Sequence, residues 1–279
     1  MRSTGRPARG VVGGGTLRDA RYGALSVAAP TVARMTQEQQ PPTLALDLDA
    51  LGAATGERPD RQAAWRFIRA FARDWSGRPL GEADGHTAAE LDAAQARLGL
   101  PLPAALREAL QLLGTRIDLT DNQDTLLAPQ DLYVDADRGV LVFRVENQSC
   151  AYWGIRVTDL DQEDPPVVIR ADLVSPTADD WAAWLGRVSV AFIEIVLSEA
   201  LCADEDLMGW VTPDDTGLPE DIAAAFLRLP FPEYPISQRP GSRWYAHDEI
   251  ILRDDHGTAM FRARTEAAFD RFDGEDEED

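Results

Sequence analysis

The 279-residue sequence contains no lysine: all 27 of its basic side chains are arginine. That absence removes the phosphate-gripping lysine of a Walker loop. The glycine-rich "GVVGGGTL" near the start has no preceding strand and no GxGxxG register, so nucleotide binding has no motif behind it. Alanine is abundant, and the arginine bias reads as the mark of a GC-rich genome, not as an adaptation to phosphate. Cysteine is nearly missing. Cys150 and Cys202 lie far apart with no CxxC, no His-rich segment and no further cysteine to complete a structural zinc site, so both are read as reduced thiols of a cytoplasmic protein. The three histidines, His86, His247 and His256, are scattered and form neither HExxH nor a paired HxH, and no metal or other cofactor is expected. Long apolar runs are lacking too. The richest stretch, Trp181 to Leu201, is interrupted by Arg187, Glu194 and Glu199, short of the ~18 consecutive apolar residues of a membrane span.

What is present is negative charge. The formal net charge is -21, and it divides unevenly. Residues 1–34 carry six arginines against Asp19 alone; the other 245 residues carry 21 arginines against 47 acids. Such a body repels nucleic acid and membrane phosphate and attracts basic protein surfaces, while solubility is its simplest role. With 44% apolar residues the chain buries a substantial core as one large domain or two small ones.

Residues 1–34 show no periodicity and are expected to be disordered, with translation starting at Met35; a weakly apolar export signal is the alternative. From residue 59 to 75 the spacing of Trp65, Ile68, Phe71, Ala72 and Trp75 predicts an amphipathic helix with arginines outside. Thr87 and Glu90 form a capping box that opens a second helix ended by Gly99, and Pro103 and Gly114 bracket a third. After Asp121 the period changes to alternation: "TLLAPQDLYV", "GVLVFRVENQ", "CAYWGIRVTDL" and "PPVVIRADL" read as four strands. In "VLVFRVEN", Val140, Val142, Arg144 and Glu146 fall on one face and Leu141, Phe143, Val145 and Asn147 on the other. A helix over "DDWAAWLGRVSVAFIEIVLSEALC" carries Trp181, Trp184, Leu185, Val188, Phe192, Ile195 and Val196 at helical spacing. The last third reads as a short helix, "LPEDIAAAFLRLPF", then strand, Asp-Asp-His-Gly turn, strand and terminal helix, with residues 273–279 as a solvated acidic tail.

Candidate sites each have a plain structural explanation. Cys150 as a nucleophile needs a base, and His247 or His256 is distant in sequence and without context. "DLTDNQD", Asp118 to Asp124, has the acids of a calcium loop without its glycine or its terminal glutamate, and reads as a loop of turn formers. "DLDQEDPP" gathers Asp159, Asp161, Glu163 and Asp164 either as a solvated hairpin or as a patch for a basic partner. Tyr152 and Trp153 are read as packed against the long helix, with an interface anchor as the alternative.

One ordered set of segments resembles a known family. In "ELDAAQARLGLPLPAALREALQLLG", Glu90, Leu98, Gly99, Leu102, Pro103, Leu113 and Gly114 match its first part; in "LLAPQDLYV", Leu126, Pro129 and Leu132 match its second. In "VLVFRVENQSCAYWGI", Phe143, Glu146, Asn147, Gln148, Trp153 and Gly154 match its third, and "PPVV" follows. The set is similar to the SUKH superfamily, the Smi/Knr-type proteins, over roughly residues 60 to 200. The pattern is structural rather than catalytic, and "LLGTR" departs from the Asn-Gly helix ending of many members.

The resemblance implies an α+β fold, a twisted and mainly antiparallel sheet with helices packed on it, here spanning 58–205 and followed by a C-terminal α/β extension, 206–272. It also implies a non-enzymatic bacterial immunity protein that binds and neutralises a cognate toxin, often a nuclease. A basic protein toxin is thus the expected partner, with neither nucleic acid nor membrane, and the contact residues are expected among Asp159, Asp161, Glu163, Asp164, Trp153 and Glu146. The alternative within the superfamily is a general regulatory or scaffold protein. A hydrolase built on Cys150, or on His247 with Asp248, has no supporting constellation.

Overall fold

The computed structural model describes residues 45–171, 180–211, 218–235, 241–255 and 258–273. The expected irregular start at 1–34, Met35, His256 and residues 274–279 of the acidic tail lie outside the described residues. The class is α+β, with two antiparallel sheets not closed into a barrel.

The helical segments follow their sequence signals. Helix α2 (Arg61–Asp74) buries Trp65, Ile68 and Phe71 and turns Arg66, Arg69 and Arg73 to solvent, as its period requires. In α3 (Ala88–Leu98) the capping box is formed, with Thr87 N donating to Glu90 at 2.7 Å and Glu90 N to Thr87 Oγ1 at 3.3 Å; Gly99 ends it at φ 66°. Pro103 precedes α4 (Ala104–Leu113). Helix α1 (Leu48–Thr55) was not legible as a helix: it is short, capped by Asp47, and held by burial of Leu51 and Ala54. It belongs to the main core, which thus begins before the boundary expected at residue 58.

The one-turn helix α5 (Ile117–Thr120) leads into the first sheet. Its central strand β3 (Val140–Glu146) has β1 (Asp124–Leu126) and β2 (Tyr133–Asp135) along one edge, and β4 (Ala151–Arg156), β5 (Val168–Ala171) and β6 (Ala182–Ala183) beyond the other. "TLLAPQDLYV" is therefore two strands, not one. Pro129 supplies no N–H to a ladder, and Arg97 closes the turn by donating to Pro129 O at 3.1 Å and Leu132 O at 2.7 Å.

Simple alternation fails in β3 for one reason. Val142 pairs with Gly154 but Arg144 pairs with Trp153, so Phe143 is the extra residue of a β-bulge. One inserted residue exchanges the faces of everything after it. Val140, Val142 and Val145 share the outer face with Val168, Trp181 and Tyr152, while Leu141 and Phe143 point into the main core and Arg144 follows them inward. The expected long helix also starts later than its pattern. Ala182 and Ala183 pair with β5, and Trp184 N donates to Val167 O at 3.0 Å, so this segment finishes the sheet before Gly186 releases it. Trp181 and Trp184, expected on one helical face, lie in different apolar clusters.

Helix α6 (Val188–Leu201) then runs through the centre of the molecule with all fourteen residues buried. A helix apolar on every side is stable only when covered on every side. Phe192 stacks on Phe143 of the first sheet and meets Trp65 of α2 edge-on. Its remaining side faces the second sheet, in the order β7 (Met208–Val211), β11 (Ala259–Ala263), β10 (Ile250–Asp254), β9 (Arg243–His247), β8 (Leu227–Arg228). What read as one strand, "SRWYAHDEIIL", is a hairpin turning at Asp248, whose φ is 46°. Alternation in this sheet is strict: Trp244, Ala246 and Ile251 join the core around α6, whereas Tyr245, Ile250, Leu252 and Phe261 pack beneath α7 (Glu220–Ala225) and α8 (Glu266–Asp273).

Gly154 marks how tightly β3 and β4 are built. A Cβ there would lie 2.4 Å from Val140 Cγ1 and 2.7 Å from the Leu141 carbonyl oxygen. Gly154→Ala is expected to lower unfolding free energy by about 1–3 kcal/mol through overpacking, measured by urea denaturation.

Candidate functional site

The six residues singled out from sequence separate into two places. The acidic loop leaves β4 through the helical turn Val157–Asp159 and is pinned by buried Leu160. Gln162 N donates to Asp159 O at 3.1 Å, and Ala105 N of α4 to Glu163 O at 2.8 Å. Arg61 donates to the exposed Glu163 carboxylate at 3.1 Å. Asp164 is not a surface group: its side chain is 5% exposed and accepts from Ser189 N at 2.9 Å and Ser189 Oγ at 2.6 Å. It caps α6 from outside, where Arg187 offers no capping side chain and the helix start favours negative charge. Half-buried Asp159 and exposed Asp161 form no ion pair with an arginine among the described residues.

Glu146 and Trp153 lie elsewhere, in the wall of a cavity of about 270 Å³ reached between the first sheet, α6 and β10. Its floor is a buried charge cluster. Arg144, with a side chain 2% exposed, donates to Glu199 at 2.6 Å and Glu194 at 3.2 Å, and lies 3.1 Å from Asp124. Its guanidinium also sits 4.6 Å above the Trp153 ring. Burial opposes the arginine's charge, but the three carboxylates outweigh it and raise its pKa.

Glu199 sits in the last turn of α6, where the helix dipole disfavours an anion. The loop expected to resemble a calcium site supplies the remedy. Asn122 N and Gln123 N each donate to Glu199 at 2.7 Å, Asp124 N follows at 3.2 Å, and the Asn122 side chain donates to the Glu199 carbonyl at 2.9 Å. Successive backbone N–H groups of this kind hold anions, so "DLTDNQD" is a receptor for the protein's own carboxylate. Glu194 in turn accepts from Ser198 Oγ at 2.5 Å and Tyr234 Oη at 2.9 Å. Tyr234 accepts from Trp244 Nε1 at 3.0 Å, and Arg253 donates to Ser198 Oγ at 2.8 Å, which extends the network to the second sheet. Burial and Glu194 push the Tyr234 hydroxyl far above its ordinary value, so it stays a proton donor.

Four polar atoms of residues that line the cavity are themselves buried from it and find no partner among the described residues: Arg144 Nε, Trp153 Nε1, Trp184 Nε1 and Asp124 Oδ1. Burial, partly opposed by Arg144 and reinforced by Glu199 and Glu194, raises the Asp124 carboxyl to about 6. Cys150 is half-buried in the wall, with its thiol 3.8 Å from Gln148 O. His86 lies beside Glu90, and His247 holds Ala225 O at 3.0 Å against Phe226; neither lines the cavity. Glu146 accepts from Gln148 N at 2.8 Å and Cys150 N at 3.0 Å, which fixes the β3–β4 hairpin.

Set against family models, curated proteins and solved structures, the chain matches none. What can be said of the site comes from its own chemistry. Sequence reasoning passed over Arg144, Glu194, Glu199, Tyr234 and Arg253 as site residues. A signal was there: one arginine inside an apolar strand, and two glutamates inside an otherwise apolar helix, are charges that burial forces to find one another.

Replacing Arg144 with leucine leaves three buried carboxylates without their cation, and the expected loss is about 3–5 kcal/mol by urea denaturation. Asp124 sets a pH dependence of the opposite kind from a surface ion pair. Its carboxyl holds the proton more tightly in the fold than in the unfolded chain, where aspartate titrates near about 4, so its favourable contribution is complete below that value and lost as pH rises through about 6. Asp124→Asn should flatten the fall in melting temperature between about pH 3 and about pH 7 by removing a term of about 3 kcal/mol, followed by calorimetry.

Proposed function

We propose that this chain is a non-enzymatic protein-binding module of the immunity type, neutralising one basic protein toxin in the cytoplasm by occlusion. The observation that carries the reading is the loop between β4 and β5. Asp159 and Asp161 are offered without a compensating arginine among the described residues, on a backbone already fixed through Leu160, Ala105 and Arg61. Carboxylates held in place before contact lose little freedom on binding, and an acidic surface accelerates encounter with a basic one while repelling nucleic acid. The net charge of -21 acts in the same direction at longer range. The resemblance to the SUKH superfamily supports the same reading, since its bacterial members neutralise toxins, often nucleases. No helix of the described residues is long and apolar enough to cross a membrane, and the two free thiols accord with a reducing compartment.

The test is capture on the immobilised full chain from the host's lysate, followed by co-expression. One dominant, basic, stoichiometric protein is expected, lost mainly at high salt, toxic when expressed alone and harmless beside the wild-type chain. The Asp159→Arg, Asp161→Arg double variant should associate at least about tenfold more slowly and protect poorly. Unchanged protection by that variant, or only several substoichiometric partners, would overturn the reading and favour a general scaffold.

A further inference from the structure

Arg144 brings one positive charge to three buried carboxylates, and hydrogen bonds serve those three unequally. Glu199 accepts from the Asn122 and Gln123 N–H groups at 2.7 Å and from Arg144 at 2.6 Å. Glu194 accepts from Ser198, Tyr234 and Arg144. Both are matched as anions. Asp124 is not: its Oδ2 lies 3.1 Å from Arg144 Nη2, the nitrogen already given to Glu199, and its buried Oδ1 has no partner among the described residues. A buried anion without donors costs far more than a neutral carboxyl in the same place, so the proton that brings this cluster nearer to balance belongs on Asp124.

The charges that face Asp124 come from three elements. From β3, Arg144 is the counter-charge, while Glu146 stands directly opposite Asp124 in the ladder, a like-charge pair that weakens antiparallel strands. From α6 come Glu194 and Glu199, with the Cys202 thiol at the helix end. From β10, Arg253 lines the same cavity, but Asp255 holds it at 3.0 Å. The strand that carries Asp124 is lightly held. β1 has three residues, lies at the edge of the sheet and pairs only with β3, and the turn before it is tied to α6 through Glu199.

We propose that the proton on Asp124 is a latch that closes the segment from Asn122 to Leu126 over the charge cluster, and that the segment opens from α6 and β3 when the proton passes to water. Opening carries the new charge into solvent, away from Glu146, Glu194 and Glu199, and admits water to Arg144. The carboxyl titrates at about 6 when closed and near about 4 when open, so the latch is at full strength below the lower value and spent above the higher one. It is a device of the fold that acid strengthens, and it stands or falls without the acidic loop.

The experiment is amide hydrogen exchange of the full chain, with each rate divided by the intrinsic rate at the same pH. Protection of the Asn122, Gln123, Asp124 and Leu127 amides is expected to fall at least about tenfold as pH rises from about 4.5 to about 7. These amides should also exchange faster than those of β10, with little dependence on low urea, which marks local opening as opposed to global unfolding. Asp124→Asn removes the titration and should give a flat profile. Glu146→Gln keeps an acceptor for Gln148 N and Cys150 N, removes the opposed charge and should move the fall to lower pH, which supplies the comparison if the first variant does not fold. The proposal is overturned if protection is constant over that range, if Asp124→Asn shows the same fall or Glu146→Gln leaves it in place, or if the segment exchanges only together with β10 and with the same urea dependence.

Discussion

Arg144 is a permanent positive charge inside a protein core, and much of the surrounding structure is arranged to hold it there. Water cannot solvate it at 2% exposure, so carboxylates must, and each of those is buried in turn. The chain of obligations is traceable. The bulge at Phe143 turns the arginine toward α6; α6 answers with Glu194 and Glu199; the Asn122–Asp124 turn answers Glu199 with backbone N–H groups; Tyr234 and Ser198 answer Glu194. Helix α6, the Asn122–Asp124 turn and the segment that holds Tyr234 are thereby placed relative to one side chain. Apolar packing alone is tolerant of sliding, whereas a guanidinium with three acidic partners has one acceptable position.

How much of this was visible in the letters depended on range. Signals confined to a few residues were legible: the Thr87–Glu90 capping box, Gly99 as a left-handed helix end, and the amphipathic period of α2. Where tertiary contacts overrule local pattern, the letters misled. Trp181 and Trp184 have helical spacing, yet the free edge of β5 captures Ala182 and Ala183. Arg144 alternates outward in an ideal strand, and only the bulge, invisible to periodicity, brings it in. The grouping of Asp159, Asp161, Glu163 and Asp164 likewise hid a division of labour, because the helix that Asp164 caps starts more than twenty residues later.

The two candidate sites use charge in different ways. On the acidic loop, solvent screens each carboxylate and only the collective field reaches far, so recognition there is a matter of approach. Around the cavity, Arg144 and its three acidic partners are buried and meet at 2.6–3.2 Å, so charge there fixes the position of side chains. Trp153 and Glu146, joined with the loop acids when only the sequence was in view, belong to this second setting.

The position of α6 also bears on how the chain is made. Its second covering layer, β9 to β11, is encoded after it, so while the protein is being synthesised the helix emerges with one flank already packed on the first sheet and the other bare. During that interval the apolar flank that Trp244, Ala246 and Ile251 later cover faces solvent, whereas the partners of Glu194 and Glu199, Arg144 and the Asn122–Asp124 turn, are encoded before the helix and can hold its charges from the start.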